Sequence, residues 1–265
     1  MILKINEYDI NYIDEGQGTP VLLLHGWGSN YKCFTNLINV LKSKYRVLAI
    51  DLPGFGESSM LDRSFCVDDY ADVISDFINK MSLDRVILIG HSYGGRIILK
   101  LNSRQNKFSI IKNVLIDAAG IKPKKDFKTK SKIALFKTLK KLSKILPLSK
   151  DKKEELENKL KAKFGSADYN SAPKVLQETL VKSVNKDLFP LIKDMKETLL
   201  IWGDRDTATP LWMAKKFEKE ISNSGLVVLN GGHFSFIDDA VTFLRVISSY
   251  FELWFYTLYQ KLIMN

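Results

Sequence analysis

Residues 90–95 read Gly-His-Ser-Tyr-Gly-Gly, directly after the apolar run Arg85-Val-Ile-Leu-Ile89 and directly before an apolar-periodic stretch. A serine flanked by glycines between a strand and a helix is the pattern of a nucleophile elbow. The turn is so tight that a Cβ at Gly90 or Gly94 is expected to meet the neighbouring strand or helix. Such a turn pushes the Ser92 hydroxyl clear of the sheet edge. The helix that follows aims its first backbone N–H groups at the same spot, which favours developing negative charge there. The chemistry this suits is attack of a hydroxyl on a carbonyl.

A serine hydroxyl is a poor nucleophile at neutral pH and needs a base, usually an imidazole held in one tautomer by a carboxylate. The chain offers three histidines. His91 adjoins the serine and is expected on the opposite side of the elbow, while His25 ends the run Val21-Leu-Leu-Leu24 and opens His-Gly-Trp-Gly. Neither is well placed as base. His233, in Asn230-Gly-Gly-His-Phe234, follows the strand-like run Gly225-Leu-Val-Val-Leu229, so a loop can drop its ring onto Ser92. Alone, such a histidine reads as structural; next to an elbow it reads as the base.

For the orienting acid, the run Thr198-Leu-Leu-Ile-Trp-Gly203 ends in Asp204-Arg205-Asp206, and Asp206 is preferred. A carboxylate just past a strand end is positioned by rigid backbone, and the order Ser, Asp, His is one of the convergent triad orders. Asp204 is the rival, because the sequence gives the loop and not which carboxylate faces inward. Asp117, after Asn113-Val-Leu-Ile116, is a weaker candidate; any of the three can otherwise be a capping or turn aspartate. Two backbone donors are needed for the oxyanion of a tetrahedral intermediate, each worth roughly 3 to 4 kcal/mol. The N–H of Tyr93, after the nucleophile, and that of Trp27, in the loop after the early strand, are assigned to it.

These elements resemble those of the α/β-hydrolase fold: His25-Gly-Trp-Gly28, Asp51-Leu-Pro-Gly-Phe-Gly-Glu-Ser58, the elbow, Trp202-Gly-Asp-Arg-Asp206 and Gly231-Gly-His-Phe234 stand in family order over nearly the whole chain. The first two motifs are similar to the carboxylesterase branch. The resemblance implies a serine hydrolase that cleaves a carboxylic ester through an acyl-enzyme, with no metal or organic cofactor. A serine at the elbow argues against haloalkane dehalogenases and epoxide hydrolases, which carry aspartate there. Carbon–carbon bond hydrolysis or acyl transfer by the same triad stays open, as does a non-catalytic ligand-binding protein on the same scaffold.

The elements that must position these residues are legible as apolar runs near 21–25, 46–50, 85–90, 113–118, 198–203 and 225–229, alternating with helix-like stretches. That alternation predicts right-handed crossovers and a mostly parallel α/β sheet with helices on both faces. Active sites in such sheets lie at the carboxyl ends of the strands, and His25, Asp51, Ser92, Asp206 and His233 all follow a run. A hairpin from Leu3 to Ile13, turning near Glu7 to Asp9, is expected to start the sheet. The 265 residues with 45% hydrophobic content suffice for one domain with a sizeable core. The opening residues alternate and carry charges unlike a secretory signal, and two cysteines without metal-ligand spacing, Cys33 and Cys66, read as free thiols. The expectation is a cytoplasmic protein.

Between residues 121 and 195 the strand–helix rhythm stops, which in the fold resembled implies a helical cap inserted after the sixth strand, with 1–120 and 196–265 as the hydrolase core. From Lys122 to Lys163 there are sixteen lysines and five acids, a net +11 against +10 for the whole chain. Ile133, Phe136, Leu139, Leu142 and Leu146 recur among lysines at helical spacing. A solvated cap surface is the favoured reading. Contact with an anionic surface or an acidic carrier protein is the alternative. Nucleic acid is disfavoured, because arginines and aromatics suited to base contacts are not interleaved. The aromatic terminus from Tyr250 to Asn265 is interrupted by charges and too short to span a bilayer; packing on the core is expected. The implied substrate is a small-molecule ester with an apolar portion, held over a pocket floor that includes the Trp27 and Tyr93 side chains.

Overall fold

The structure, a computed structural model, describes residues 1–122, Ser149, Lys152 and residues 172–252. Runs rich in Val, Leu and Ile form strands largely buried on both faces. They are β3 (Pro20–Leu24), β4 (Arg46–Ile50), β5 (Arg85–His91), β6 (Ser109–Ile116) and β7 (Thr198–Gly203), with β1 (Ile2–Ile5) and β2 (Tyr8–Glu15) before them and β8 (Ser224–Leu229) after. The eight strands lie in the order β1-β2-β4-β3-β5-β6-β7-β8. Only β1–β2 and β2–β4 pair antiparallel; the others are parallel. This is the doubly covered α/β-hydrolase architecture that the motifs imply.

Alternation along the strands divides the core into two layers. Leu22, Leu24, Leu48, Ile50 and Leu88 join one apolar cluster with residues of α2 (Val67–Lys80), α3 (Tyr93–Asn102) and α5 (Leu211–Glu220). Val21, Leu23, Val47, Ala49 and Ile89 face the other, with α1 (Thr35–Leu41) and α6 (Ala240–Tyr250). The sheet is thereby clamped from both sides, so the strand ends that carry the site residues have little freedom.

Three local differences from the sequence reading have physical causes. The first hairpin turns at Asn6-Glu7, one residue early, with Asn6 in the left-handed region (φ 53°) that asparagine tolerates. Strand β6 starts at Ser109, four residues before the expected run, because Lys112 and Asn113 interrupt its apolar sequence; its register against β5 shifts by one residue between Val86 and Leu88. Strand β8 is the sheet edge and only half-buried, with Val228 exposed.

Of the stretch between β6 and β7, α4 (Lys174–Asn185) and a 3-10 turn (Phe189–Asp194) are described. The Phe65 N–H donates to Thr179 Oγ1 at 3.0 Å, the Leu188 N–H to Gly120 O at 2.9 Å, and Lys186 pairs with Asp68. Helix α4 is therefore docked firmly on the core. Of the lysine-rich run only Lys122 and Lys152 are described; the amphipathic stretch from Ile133 to Leu146 and the aromatic segment beyond Glu252 lie outside the described residues. Among the described residues no helix is long and apolar enough to cross a membrane.

Candidate active site

Ser92 sits between β5 and α3 at φ 47°, ψ −104°. This conformation is costly for a residue with a side chain and persists only where its surroundings impose it. The neighbouring glycines show why. A Cβ on Gly94 would lie 2.1 Å from the Leu24 carbonyl oxygen, and one on Gly90 would lie 2.7 Å from Gly94 C and 2.6 Å from Ile98 Cδ1. Without side chains there, α3 closes directly onto β3 and turns Ser92 outward.

The ring of His233 lands on that hydroxyl. His233 Nε2 is 2.8 Å from Ser92 Oγ, and His233 Nδ1 is 2.8 Å from Asp206 Oδ2. The carboxylate accepts at Nδ1–H, which leaves Nε2 free to accept the serine proton; the tautomer is assigned from these partners. The Asp206 side chain is fully buried, whereas that of His233 is 24% exposed and open to a ligand. Burial alone would raise the Asp206 carboxyl. The hydrogen bonds from His233 and from the Thr209 hydroxyl and N–H outweigh it and hold the carboxyl below its usual range. Asp206 Oδ1 also accepts from the Ala208 and Thr209 N–H groups at 2.8 and 2.9 Å, so this carboxylate is fixed by its own turn.

The other two aspartates do different things. Asp204 is 46% exposed, pairs loosely with Arg205 at 3.6 Å, and accepts from the Gly231 N–H at 3.0 Å. It caps the β8 loop and stands outside the serine–histidine line. Asp117 is buried and accepts from Gly203 and Ser235.

Both remaining histidines are held neutral by burial, His25 down to about 4 and His91 to about 3. His25 Nδ1 lies 2.7 Å from Gly26 O, and its Nε2 accepts from the Leu52 N–H at 2.9 Å, stitching the β3 loop to the β4 loop. His91, expected on the far side of the elbow, instead lies beside His233 with ring centroids 5.0 Å apart, and its Nε2–H donates to the His233 carbonyl at 2.7 Å. It supports the His233 loop from beneath. The short side of the elbow leaves only that space, because Gly26 lies against its other edge: a Cβ there would be 2.6 Å from His91 Nδ1.

No hydrogen bond among the described residues engages the backbone N–H of Trp27 or Tyr93, the two amides assigned to an oxyanion. Their side chains pack edge to face at 5.3 Å. Trp27 is partly exposed, as a pocket wall requires. The Tyr93 ring is not: it is buried against Tyr70, with its hydroxyl 2.7 Å from Ser183 Oγ on α4. The expected pocket floor therefore loses Tyr93, whose polar tip needed a buried partner. Phe234, 41% exposed beside His91 and His233, supplies an apolar surface that the sequence reading passed over.

Thr209 was also missed. Its hydroxyl lies 2.6 Å from Asp206 Oδ2 and 2.9 Å from Asp117 O, and its one proton serves one of them at a time. The local signal was Asp206-Thr-Ala-Thr209, an aspartate that can cap its own turn. Among the described residues no cluster of three or more His, Cys, Asp or Glu side chains is arranged to hold a metal ion.

The model of the alpha/beta hydrolase family matches residues 21–246. An AB hydrolase superfamily protein, YisY, of Bacillus subtilis (strain 168) is 28% identical over 257 residues, 89% of this chain and 93% of that one. A soluble epoxide hydrolase of Corynebacterium sp. (strain C12) is 33% identical over 93 residues, 35% of this chain and 32% of its own length. Among solved structures, an esterase from Exiguobacterium antarcticum superposes with a TM-score of 0.71 at 24% identity, covering 94% of this chain and 97% of that one, which is a likeness of fold. With a family model spanning most of its length and the sheet, elbow and strand-end residues arranged as described, the chain belongs to the alpha/beta hydrolase family.

Proposed function

We propose that the protein is a serine hydrolase that cleaves a carboxylic ester through an acyl-enzyme. The observation that carries this reading is the unbroken line from Ser92 Oγ through His233 to Asp206, with both links at 2.8 Å. Ser92 Oγ attacks the ester carbonyl as its proton passes to His233 Nε2, and Asp206 stabilises the resulting imidazolium. The Trp27 and Tyr93 N–H groups receive the oxyanion, each worth about 3 to 4 kcal/mol in the transition state. Collapse of the intermediate expels the alkoxide, which takes the proton from His233. Water then attacks the acyl-serine and gives its proton to the same nitrogen, and a second collapse releases the acid and returns the proton to Ser92. The cycle balances with no metal or cofactor.

Residues 121–195 are proposed to cap a core formed by 1–120 and 196–265, and to set substrate choice. The firm docking of α4 beside Tyr93 supports this, since it brings the end of that segment to the residue after the nucleophile. The partly exposed Trp27 and exposed Phe234 favour an ester with an apolar portion. The unpaired thiols Cys33 and Cys66 suit a reducing, cytoplasmic setting. Hydrolysis of nitrophenyl esters over short and long acyl chains tests the substrate reading. The expected result is turnover that rises with chain length and disappears in Ser92→Ala; preference for small polar esters alone refutes the apolar pocket.

A further inference from the structure

Asp117 lies at a corner that touches all three segments of the site. Its own backbone is in the left-handed region, φ 45°, and its side chain is completely buried. On one side of the corner the Ser92 N–H donates to Ile116 O at 3.0 Å; on the other the Ala119 N–H donates to Ser92 O at 2.9 Å. The nucleophile's peptide is thus held fore and aft. Gly95 permits this closeness, since a Cβ there would lie 2.5 Å from Ala118 Cβ.

The side chain reaches the other two segments. Asp117 Oδ1 accepts from the Gly203 N–H at 2.8 Å, three residues before Asp206, and the Asp117 carbonyl lies 2.9 Å from Thr209 Oγ1, which also touches Asp206. Asp117 Oδ2 accepts from the Ser235 N–H at 3.1 Å and its hydroxyl at 2.6 Å, two residues after His233. One carboxylate therefore spans the loop that carries the acid and the loop that carries the base.

We propose that Asp117 is a positioning residue that fixes the spacing of Ser92, His233 and Asp206 by tying their three segments to one strained corner. The inference rests on the serine hydrolase reading of that site, but its geometry does not depend on the substrate. A buried carboxylate with three hydrogen-bond donors and, among the described residues, no cationic partner is expensive for a fold to keep. Burial, aided by the negative charge of Asp206, pushes its carboxyl up to about 6. A packing role alone is met more cheaply by an apolar side chain.

The test uses Asp117→Ala, Asp117→Asn and Ser235→Ala in the full chain, with two readouts. The first is kcat and KM on a nitrophenyl ester. The second is the proton NMR resonance of His233 Nδ1–H in its bond to Asp206, which reports the line independently of turnover. In Asp117→Ala the expected result is kcat lower by about 10²-fold, as for an ångström-scale misplacement, with KM within about threefold and the resonance lost. Asp117→Asn retains one acceptor and is expected to recover part of both signals. Should Asp117→Ala not fold, Ser235→Ala decides by the same signs at smaller size. Folded variants with kcat within about twofold of wild type and the resonance in place overturn the proposal. A wild type that shows the resonance but hydrolyses no ester sinks the esterase reading and leaves the clamp standing; a wild type without the resonance overturns both.

Discussion

Substituting Gly94 by alanine puts the closure of the elbow under a direct geometric test. The added Cβ would lie 2.1 Å from the carbonyl oxygen of Leu24, whereas carbon and carbonyl oxygen ordinarily approach no closer than about 3.3 Å. The deficit is about 1.2 Å. Leu24 cannot yield it, because it is buried and paired in register with Ile50 on one side and Gly90 on the other. Helix α3 must therefore retreat, and Ser92 is its first flanking residue. An ångström of retreat takes Ser92 Oγ from 2.8 Å to beyond hydrogen-bond reach of His233. The expected loss in kcat/KM on a nitrophenyl ester is about 10²-fold or more. Overpacking should also cost about 1–3 kcal/mol of stability, read as a fall in thermal midpoint. Gly225→Ala is the control: its Cβ meets nothing within 4 Å and its φ is not positive, so activity should hold and stability rise by about 0.4–1 kcal/mol. A Gly94→Ala protein with wild-type activity and midpoint would refute the reasoning.

Further predictions concern the acids and the buried histidines. Asp206→Asn should lower kcat by about 10³ to 10⁴-fold through loss of the correct imidazole tautomer, while Asp204→Asn changes it by less than about threefold; equal effects would show that the wrong aspartate has been chosen. His25 and His91, held down to about 4 and about 3, refuse protons that the unfolded chain accepts below about 6.5. Stability is thus fully present above that pH and falls as pH drops, by about 1.4 kcal/mol per unit for each ring. Asp117 runs the other way: its folded value of about 6 exceeds the unfolded one, so it adds stability as pH falls from about 6 to about 4. Urea midpoints should decline between pH 6.5 and 4.5, and Asp117→Asn should steepen the decline; a shallower slope in the variant contradicts the sign.

The parts of the site that the sequence made legible are those set by local rules. Ser92 needs glycines beside it, strands that bury both faces are continuous apolar runs, and residues just past their ends share one rim of the sheet. His233 and the loop carrying Asp204 and Asp206 could be placed from that alone; that Asp206 is the one facing His233 is a contact only the fold shows. Contacts made across the sheet left no local mark. The partnership of Tyr93 with Ser183, ninety residues away, and the seat of His91 under the His233 carbonyl depend on which chain segments meet. Asp117 was visible as a strand-end aspartate, but its bonds to Gly203 and Ser235 were not. The start of β6 was hidden because Lys112 and Asn113 interrupt its apolar run.

Ser92 is proposed to be made nucleophilic by His233 and Asp206. A fluorophosphonate, which phosphonylates an activated serine with loss of fluoride, read out by intact-protein and peptide mass measures this without knowledge of the substrate. One adduct on the peptide containing Ser92, absent in Ser92→Ala and greatly slowed in His233→Ala, is the predicted result. A wild-type protein that stays unmodified, or is modified at another serine, would contradict it.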